Sequence, residues 1–201
     1  MKVIFLDIDG VLNSRLDHAA THHKMNVMGD GCIGIYKPRL RFLKEIVDAT
    51  NAKIVLVSSW KDCYEKYKRQ VKDYLASGEK ELPLYLWCER DDYGYYLHKK
   101  FRSAGLEVFD TTLRYENNCY GWDRGAGIVK YLEDHPDITD WIVLDDEIFE
   151  DYNEMGILPH LVKTSFYTGA LDEYHVKRAI NLLIPQEVLE QKQPANDKDT
   201  K

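Results

Sequence analysis

Apolar residues recur along this chain in two rhythms, and their alternation lays out a sheet flanked by helices. Short, nearly unbroken apolar runs occur at Val3-Ile4-Phe5-Leu6, Ile54-Val55-Leu56-Val57, Leu106-Glu107-Val108-Phe109, Trp141-Ile142-Val143-Leu144 and Leu161-Val162. Runs of this length without strict alternation suit parallel strands covered on both faces. Between them the apolar spacing changes to three and four. Leu40, Leu43, Ile46 and Val47 follow Pro38, a residue suited to the first turn of a helix. Residues 61–76 read as a second helix, and residues 93–104 as a third that stops at Gly105. Residues 123–133 carry Ile128, Val129 and Leu132 at helical spacing, and residues 172–184 carry Val176, Ala179, Ile180 and Leu183. Strand and helix in repetition predict an α/β fold, a Rossmann-like three-layer α/β/α arrangement around a central, mainly parallel sheet of about five strands.

The same pattern predicts one domain over residues 1–184. Residues 61–104 form a helical, aromatic-rich insert or small cap, with residues 82–87 as a short extra strand or packed loop. From Pro185 the chain is polar and without period, which predicts a disordered tail over residues 185–201. Residues 13–37 are polar, with His18, His22, His23 and Cys32 among them. Their irregular spacing favours a solvated loop over a zinc site.

The chemistry-bearing residues stand where the apolar runs stop. The first run ends in Asp7-Ile8-Asp9-Gly10, two carboxylates one residue apart followed by a glycine that lets the chain bend. An ionised carboxylate inside apolar surroundings costs several kcal/mol unless paired, so the pair belongs at the strand's carboxyl end, where α/β folds place ligands. Two carboxylates on one side repel unless a cation lies between them, and hard oxygen donors suit Mg²⁺. The alternative is an acidic turn after an ordinary strand. The second run ends in Ser58-Ser59-Trp60 and the fourth in Asp145-Asp146-Glu147. In a parallel sheet these ends share one edge. A cation is expected there too: Arg124, at the start of the helix preceding the last acidic strand, or its competitor Lys130, six residues further in.

Composition narrows the partners. A formal charge of -7 and a pI near 5.5 argue against a generally basic, nucleic-acid-coating surface, though not against a local basic groove. Residues 61–104 hold ten Lys or Arg against eight Asp or Glu, together with Tyr64, Tyr67, Tyr74, Tyr85, Trp87, Tyr93, Tyr95 and Tyr96. They read either as an element that stacks bases, or, the preferred reading, as tyrosines covering the sheet with wet hydroxyls. The four dispersed cysteines, Cys32, Cys63, Cys88 and Cys119, read as thiols of a cytoplasmic protein. Asp7 interrupts the first apolar run, so no secretory signal is expected, and no run approaches membrane-spanning length. No membrane partner and no obligate protein partner is expected.

The order Asp-x-Asp-Gly-Val, an apolar strand ending in serine, a basic residue and then Asp-Asp resembles the haloacid dehalogenase-like (HAD) superfamily of phosphohydrolases. Phe5 to Asn13, Val57-Ser58-Ser59-Trp60, Arg124 and Val143-Leu144-Asp145-Asp146 resemble its small branch found in RNA-repair proteins, over residues 2–184. Two features depart from the pattern: an arginine stands where lysine is usual, and residues 61–104 exceed what the simplest members need. The resemblance implies a Mg²⁺-dependent phosphomonoesterase. Asp7 is then the nucleophile that forms an aspartyl-phosphate, and Asp9 the general acid and base. Ser58, Ser59 and Arg124 bind phosphate. Asp7, Asp9 (through its backbone carbonyl), Asp145 and Asp146 form the metal set. The implied substrates are nucleotides or phosphorylated nucleic-acid ends. A small-metabolite phosphatase and a non-catalytic phosphate- or nucleotide-binding module are the alternatives.

Overall fold

The computed structural model describes residues 1–21, 33–80, 93–112 and 123–184. Its strands are β1 (Lys2–Leu6), β2 (Lys53–Leu56), β3 (Val108–Thr111), β4 (Asp140–Asp145) and β5 (Leu161–Lys163). Its helices are α1 (Arg15–Ala20), α2 (Lys37–Thr50), α3 (Trp60–Ser77), α4 (Tyr93–Ser103), α5 (Arg124–Asp134) and α6 (Glu173–Leu183). The strands form one parallel sheet in the order β3-β2-β1-β4-β5. This is the Rossmann-like α/β arrangement that the alternating pattern predicts, with β5 at one edge. Leu6 pairs with Leu56 on one side and Leu144 on the other, so the three central strands end level. From β1 the chain winds outward to β2 and β3, then crosses back to β4 and β5. The winding therefore reverses between β1 and β4, the place where open α/β sheets form a ligand crevice.

Alternation along β1 sorts the core into two layers. Ile4 and Leu6 join Leu40, Leu43 and Ile46 of α2, Tyr96, Leu97 and Phe101 of α4, and Val176, Ala179 and Leu183 of α6. Val3 and Phe5 join Ile128 and Tyr131 of α5 and Tyr152 and Ile157 of the β4–β5 connection. With both faces covered, no position from Val3 to Leu6 is exposed, and the strand reads as an unbroken apolar run.

Element ends differ from the predicted ones by a residue or two. Three larger differences carry weight. Residues 15–20, expected within a solvated loop, form α1: the Ser14 hydroxyl accepts from the Asp17 N–H at 3.1 Å. Arg39 donates to the buried Asp17 carboxylate at 2.6 Å and to the Leu171 carbonyl at 2.8 Å. A helix of six residues cannot hold itself and leaves little periodicity to read; this one is held by tertiary contacts. In the second, α3 and α4 pack tightly together, and a Cβ on Gly94 would come within 2.3 Å of the Cys63 carbonyl. Tyr64 and Tyr96 join the core over the sheet, as the preferred reading of the tyrosines expects. The Tyr96 hydroxyl, expected to be wet, is instead buried and accepts from the Ile35 N–H at 2.9 Å, while Tyr67 packs against Tyr95 and His98 of α4. The third is the β4–β5 connection, which contains 3-10 turns at Glu150–Tyr152 and Leu158–His160 where no element is predicted.

The expected extra strand at 82–87, the expected tail, and His22, His23, Cys32, Cys88 and Cys119 lie outside the described residues. Cys63 forms no disulfide among the described residues. No described helix is long and apolar enough to cross a membrane.

Candidate active site

Strand pairing continues one residue past β1, where the Asp7 N–H donates to the Leu144 carbonyl at 2.9 Å. This sets Asp7 beside the end of β4, which carries Asp145 and then Asp146. Asp7 and Asp145 are buried and Asp146 is partly exposed, and one carboxylate oxygen from each lies within 4.8 Å of the others. The chain turns away at Gly10, whose φ of 75° is costly for any residue with a Cβ. A Cβ there would also meet the Asp146 Cγ at 2.2 Å. The buried Thr164 hydroxyl donates to the Gly10 carbonyl at 2.8 Å and fastens the turn to the exit of β5.

Of the two candidate cations, Arg124 is the one that reaches this edge. Its Nη1 donates to Asp7 Oδ1 at 3.0 Å and to Asp145 Oδ2 at 2.7 Å. Its Cζ stands 4.2 Å from the centre of the Phe149 ring, which backs the guanidinium. Lys130 instead pairs with Asp134 one turn further along α5, at 2.5 Å. Asp145 accepts two more bonds, from the Tyr152 hydroxyl at 2.7 Å and the Glu147 N–H at 3.0 Å. The neighbouring Asp151 accepts from the Ala126 N–H at 2.9 Å, so the connection after β4 also seats the start of α5 that carries Arg124.

Asp9 stands apart from the three-carboxylate cluster. Its Oδ2 accepts from the Trp60 indole N–H at 2.9 Å and its Oδ1 from the Asn13 amide at 2.8 Å. Asn13 in turn accepts from the Gly10 N–H at 2.9 Å, so the side chain is held from both ends of its own loop. Ser58, at the exit of β2, is almost wholly buried, and its hydroxyl accepts from the Trp60 N–H at 3.4 Å. Ser59 is exposed and lines the cleft above the strand ends. That cleft, about 520 Å³, is also lined by Asp7, Asp9, Arg124, Asp145 and Asp146.

Crowded carboxylates set the electrostatics. Burial pushes Asp7 well above the ordinary carboxylate range; Arg124 pulls it back, while Asp145, Asp9 and Asp146 push it further. Asp146 is pushed up to about 6 by burial, then by Asp145 and Glu147. Burial opposes the Arg124 charge, but Asp7 and Asp145 outweigh it and hold the guanidinium protonated. Burial and then Asp145 raise Tyr152, whose hydroxyl stays a donor. One guanidinium thus sits against two of the three converging acids. The cluster has what a divalent cation needs: adjacent hard oxygens on rigid strand ends whose mutual repulsion such an ion would relieve.

Sequence patterning did not single out Tyr152, Phe149, Asp151, Trp60 or Asn13 as parts of the site. Trp60 and Asn13 stand inside the quoted motifs, as the last residues of Val57-Ser58-Ser59-Trp60 and of Phe5 to Asn13. The other three follow Asp145-Asp146-Glu147 within a few residues, and their clustering beside a strand-terminal acidic run was the available signal.

The family described as the HAD domain in Swiss Army Knife RNA repair proteins matches residues 3–83 and 86–176. No curated protein and no solved structure matches the chain. The match takes in all five strands, the Asp7 turn, Arg124 and the Asp145-Asp146 pair, so the chain belongs to the HAD domain family of Swiss Army Knife RNA repair proteins.

Proposed function

We propose that this HAD domain is a Mg²⁺-dependent phosphomonoesterase that works through an aspartyl-phosphate on Asp7. One observation supports it most: Arg124 grips Asp7 by Oδ1 and Asp145 by Oδ2, which aligns the nucleophile and leaves Asp7 Oδ2 for phosphorus. Asp7, Asp145, Asp146 and the Asp9 backbone carbonyl would hold Mg²⁺, which when bound supplies charge neutralisation and orients the phosphoryl group. Asp7 attacks phosphorus as the bond to the leaving oxygen breaks, and Asp9 gives that oxygen its proton. Water then attacks the aspartyl-phosphate, Asp9 takes its proton, and Asp7 is regenerated with release of inorganic phosphate. Arg124 offers its planar fork to the phosphoryl oxygens, with the hydroxyls at the β2 exit, Ser58 and the more open Ser59, as further donors.

A module that only bound phosphate would need neither a nucleophile nor an acid, and the hydrogen bonds that fix the Asp7 and Asp9 side chains support the catalytic reading over that one. Family membership supports nucleotides or phosphorylated nucleic-acid ends as substrates. The test is phosphate release from aryl phosphate, mononucleotides, phosphorylated RNA and DNA ends and sugar phosphates, with and without Mg²⁺. Asp7→Asn should abolish release while circular dichroism stays that of the parent. Turnover undiminished in that variant would end the mechanism.

A further inference from the structure

An aromatic pair stands at the mouth of the same cleft, with side chains to which the proposed chemistry gives no role. Phe166 and Tyr167 lie in the turn after β5 and Arg15 at the start of α1, and all three line the cleft with Asp7 and Arg124. Tyr167 is 64% exposed, yet the turn that carries it is closely held. Ser165 and Gly169 exchange backbone hydrogen bonds of 3.1 and 3.2 Å, and the Ser165 hydroxyl accepts from the N–H groups of Tyr167 and Thr168. The Phe166 carbonyl accepts from the Arg15 N–H at 2.9 Å, tying the turn to α1. The pairing of Arg39 with Asp17 pins α1 itself. Above this tie the Arg15 guanidinium lies 5.0 Å from the centre of the Tyr167 ring, and Phe166 meets Tyr167 edge to face at 5.6 Å.

Single exposed aromatics are common and need no explanation. Here the ring is fixed on a braced turn, at the mouth of the cleft that holds the nucleophile, with an arginine plane beside it. Tyrosine rings and arginine planes are the surfaces on which bases stack. Asp7, Asp9, Asp145, Asp146 and Glu147 line the cleft with Arg124 and Arg15, and of these Arg15 is the one that lies over the Tyr167 ring.

We infer that Arg15, Phe166 and Tyr167 form the leaving-group subsite, and that it takes a nucleoside whose terminal phosphate lies at Asp7. The inference rests on the phosphomonoesterase reading for that placement, and the ligand is either a free nucleotide or the last nucleotide of a strand.

Wild type, Tyr167→Ala, Tyr167→Phe and Arg15→Ala are assayed with Mg²⁺ on a nucleoside monophosphate, a short RNA with a terminal phosphate, and glycerol phosphate. In parallel, calorimetry measures nucleoside monophosphate binding to the Asp7→Asn protein with and without Tyr167→Ala. Tyr167→Ala should lower kcat/KM for nucleotide substrates roughly 5- to 150-fold, the loss of one stacked base. It should leave glycerol phosphate unchanged, with Tyr167→Phe close to wild type and Arg15→Ala following Tyr167→Ala in direction. A loss shared by mononucleotide and RNA assigns one nucleoside to the subsite; a loss on RNA alone assigns it to strand ends. An equal loss on glycerol phosphate, or no loss on any nucleotide, overturns the subsite. If no substrate is hydrolysed but Tyr167→Ala still weakens nucleotide binding, the subsite stands and the catalytic reading falls. If there is neither hydrolysis nor binding, the subsite falls too.

Discussion

Arg124→Met isolates the electrostatics of the site. The substitution keeps an unbranched side chain of similar reach against Phe149 and removes the charge that faces Asp7 and Asp145 at 3.0 and 2.7 Å. The partners are almost fully buried and the Arg124 side chain is 15% exposed, so solvent screens this contact far less than a surface pair. Removing one partner of a buried ion pair costs about 3–5 kcal/mol, because a buried charge is left uncompensated. That is a large part of a domain stability of roughly 5–15 kcal/mol. The loss should depend on pH, with a sign that follows from the proton count. Asp7 already has a raised pKa in the folded protein, and without Arg124 it rises further. The folded state then holds a proton that the unfolded state has released, so stability falls as pH rises above the ordinary carboxylate value and through the folded one. Against the parent, the difference builds up only between the parent's folded value and the variant's, at no more than about 1.4 kcal/mol per pH unit, so the deficit at about pH 5 should be smaller than at about pH 7. Urea unfolding of both proteins in EDTA at the two pH values measures this. Added Mg²⁺ should stabilise the variant more than the parent at the higher pH. A deficit equal at both pH values would mean that Arg124 acts through packing, and the charge argument would be wrong.

Gly10→Ala must abandon its left-handed backbone or push Asp146 aside, since its Cβ would stand 2.2 Å from the Asp146 Cγ. We expect a stability loss of about 1–2 kcal/mol or more and weaker Mg²⁺ binding by calorimetry; unchanged Mg²⁺ affinity would show that Asp146 is no ligand. Tyr152→Phe deletes one hydroxyl from a packed ring and leaves Asp145 with Arg124 and the Glu147 N–H. It should cost about 1.5 kcal/mol in urea unfolding and roughly tenfold or more in Mg²⁺ affinity; parent-like values on both counts would remove Tyr152 from the site. Asp9→Asn should slow both half-reactions, seen as a smaller burst and a slower decay of the phosphorylated protein in rapid-quench experiments, and wild-type rates would assign proton transfer to another group. Trp60→Phe, which frees one oxygen of Asp9, should lower kcat more than it changes KM, and an effect confined to KM would count against a positioning role.

The strand and helix succession, the polar strand ends and the acids that stand there were legible in the order of residues. Each of these is a local property: burial on both faces makes Val3 to Leu6 uniformly apolar, and Asp7 can stand only where that burial stops. Only the tertiary structure shows that Arg124, at the first position of α5, rather than Lys130, six residues further in, reaches the edge shared by β1 and β4. It alone joined Trp60 to Asp9 across 51 positions, a distance at which no periodicity carries information, and it gave the expected meeting of Arg124 with Asp7 its geometry. It likewise formed α1, which local propensity is too weak to hold without Arg39. Helix and strand periods report how each segment faces its own layer. Which segments meet is decided by strand order, which burial pattern alone leaves open, and the site exists only where those strands end together.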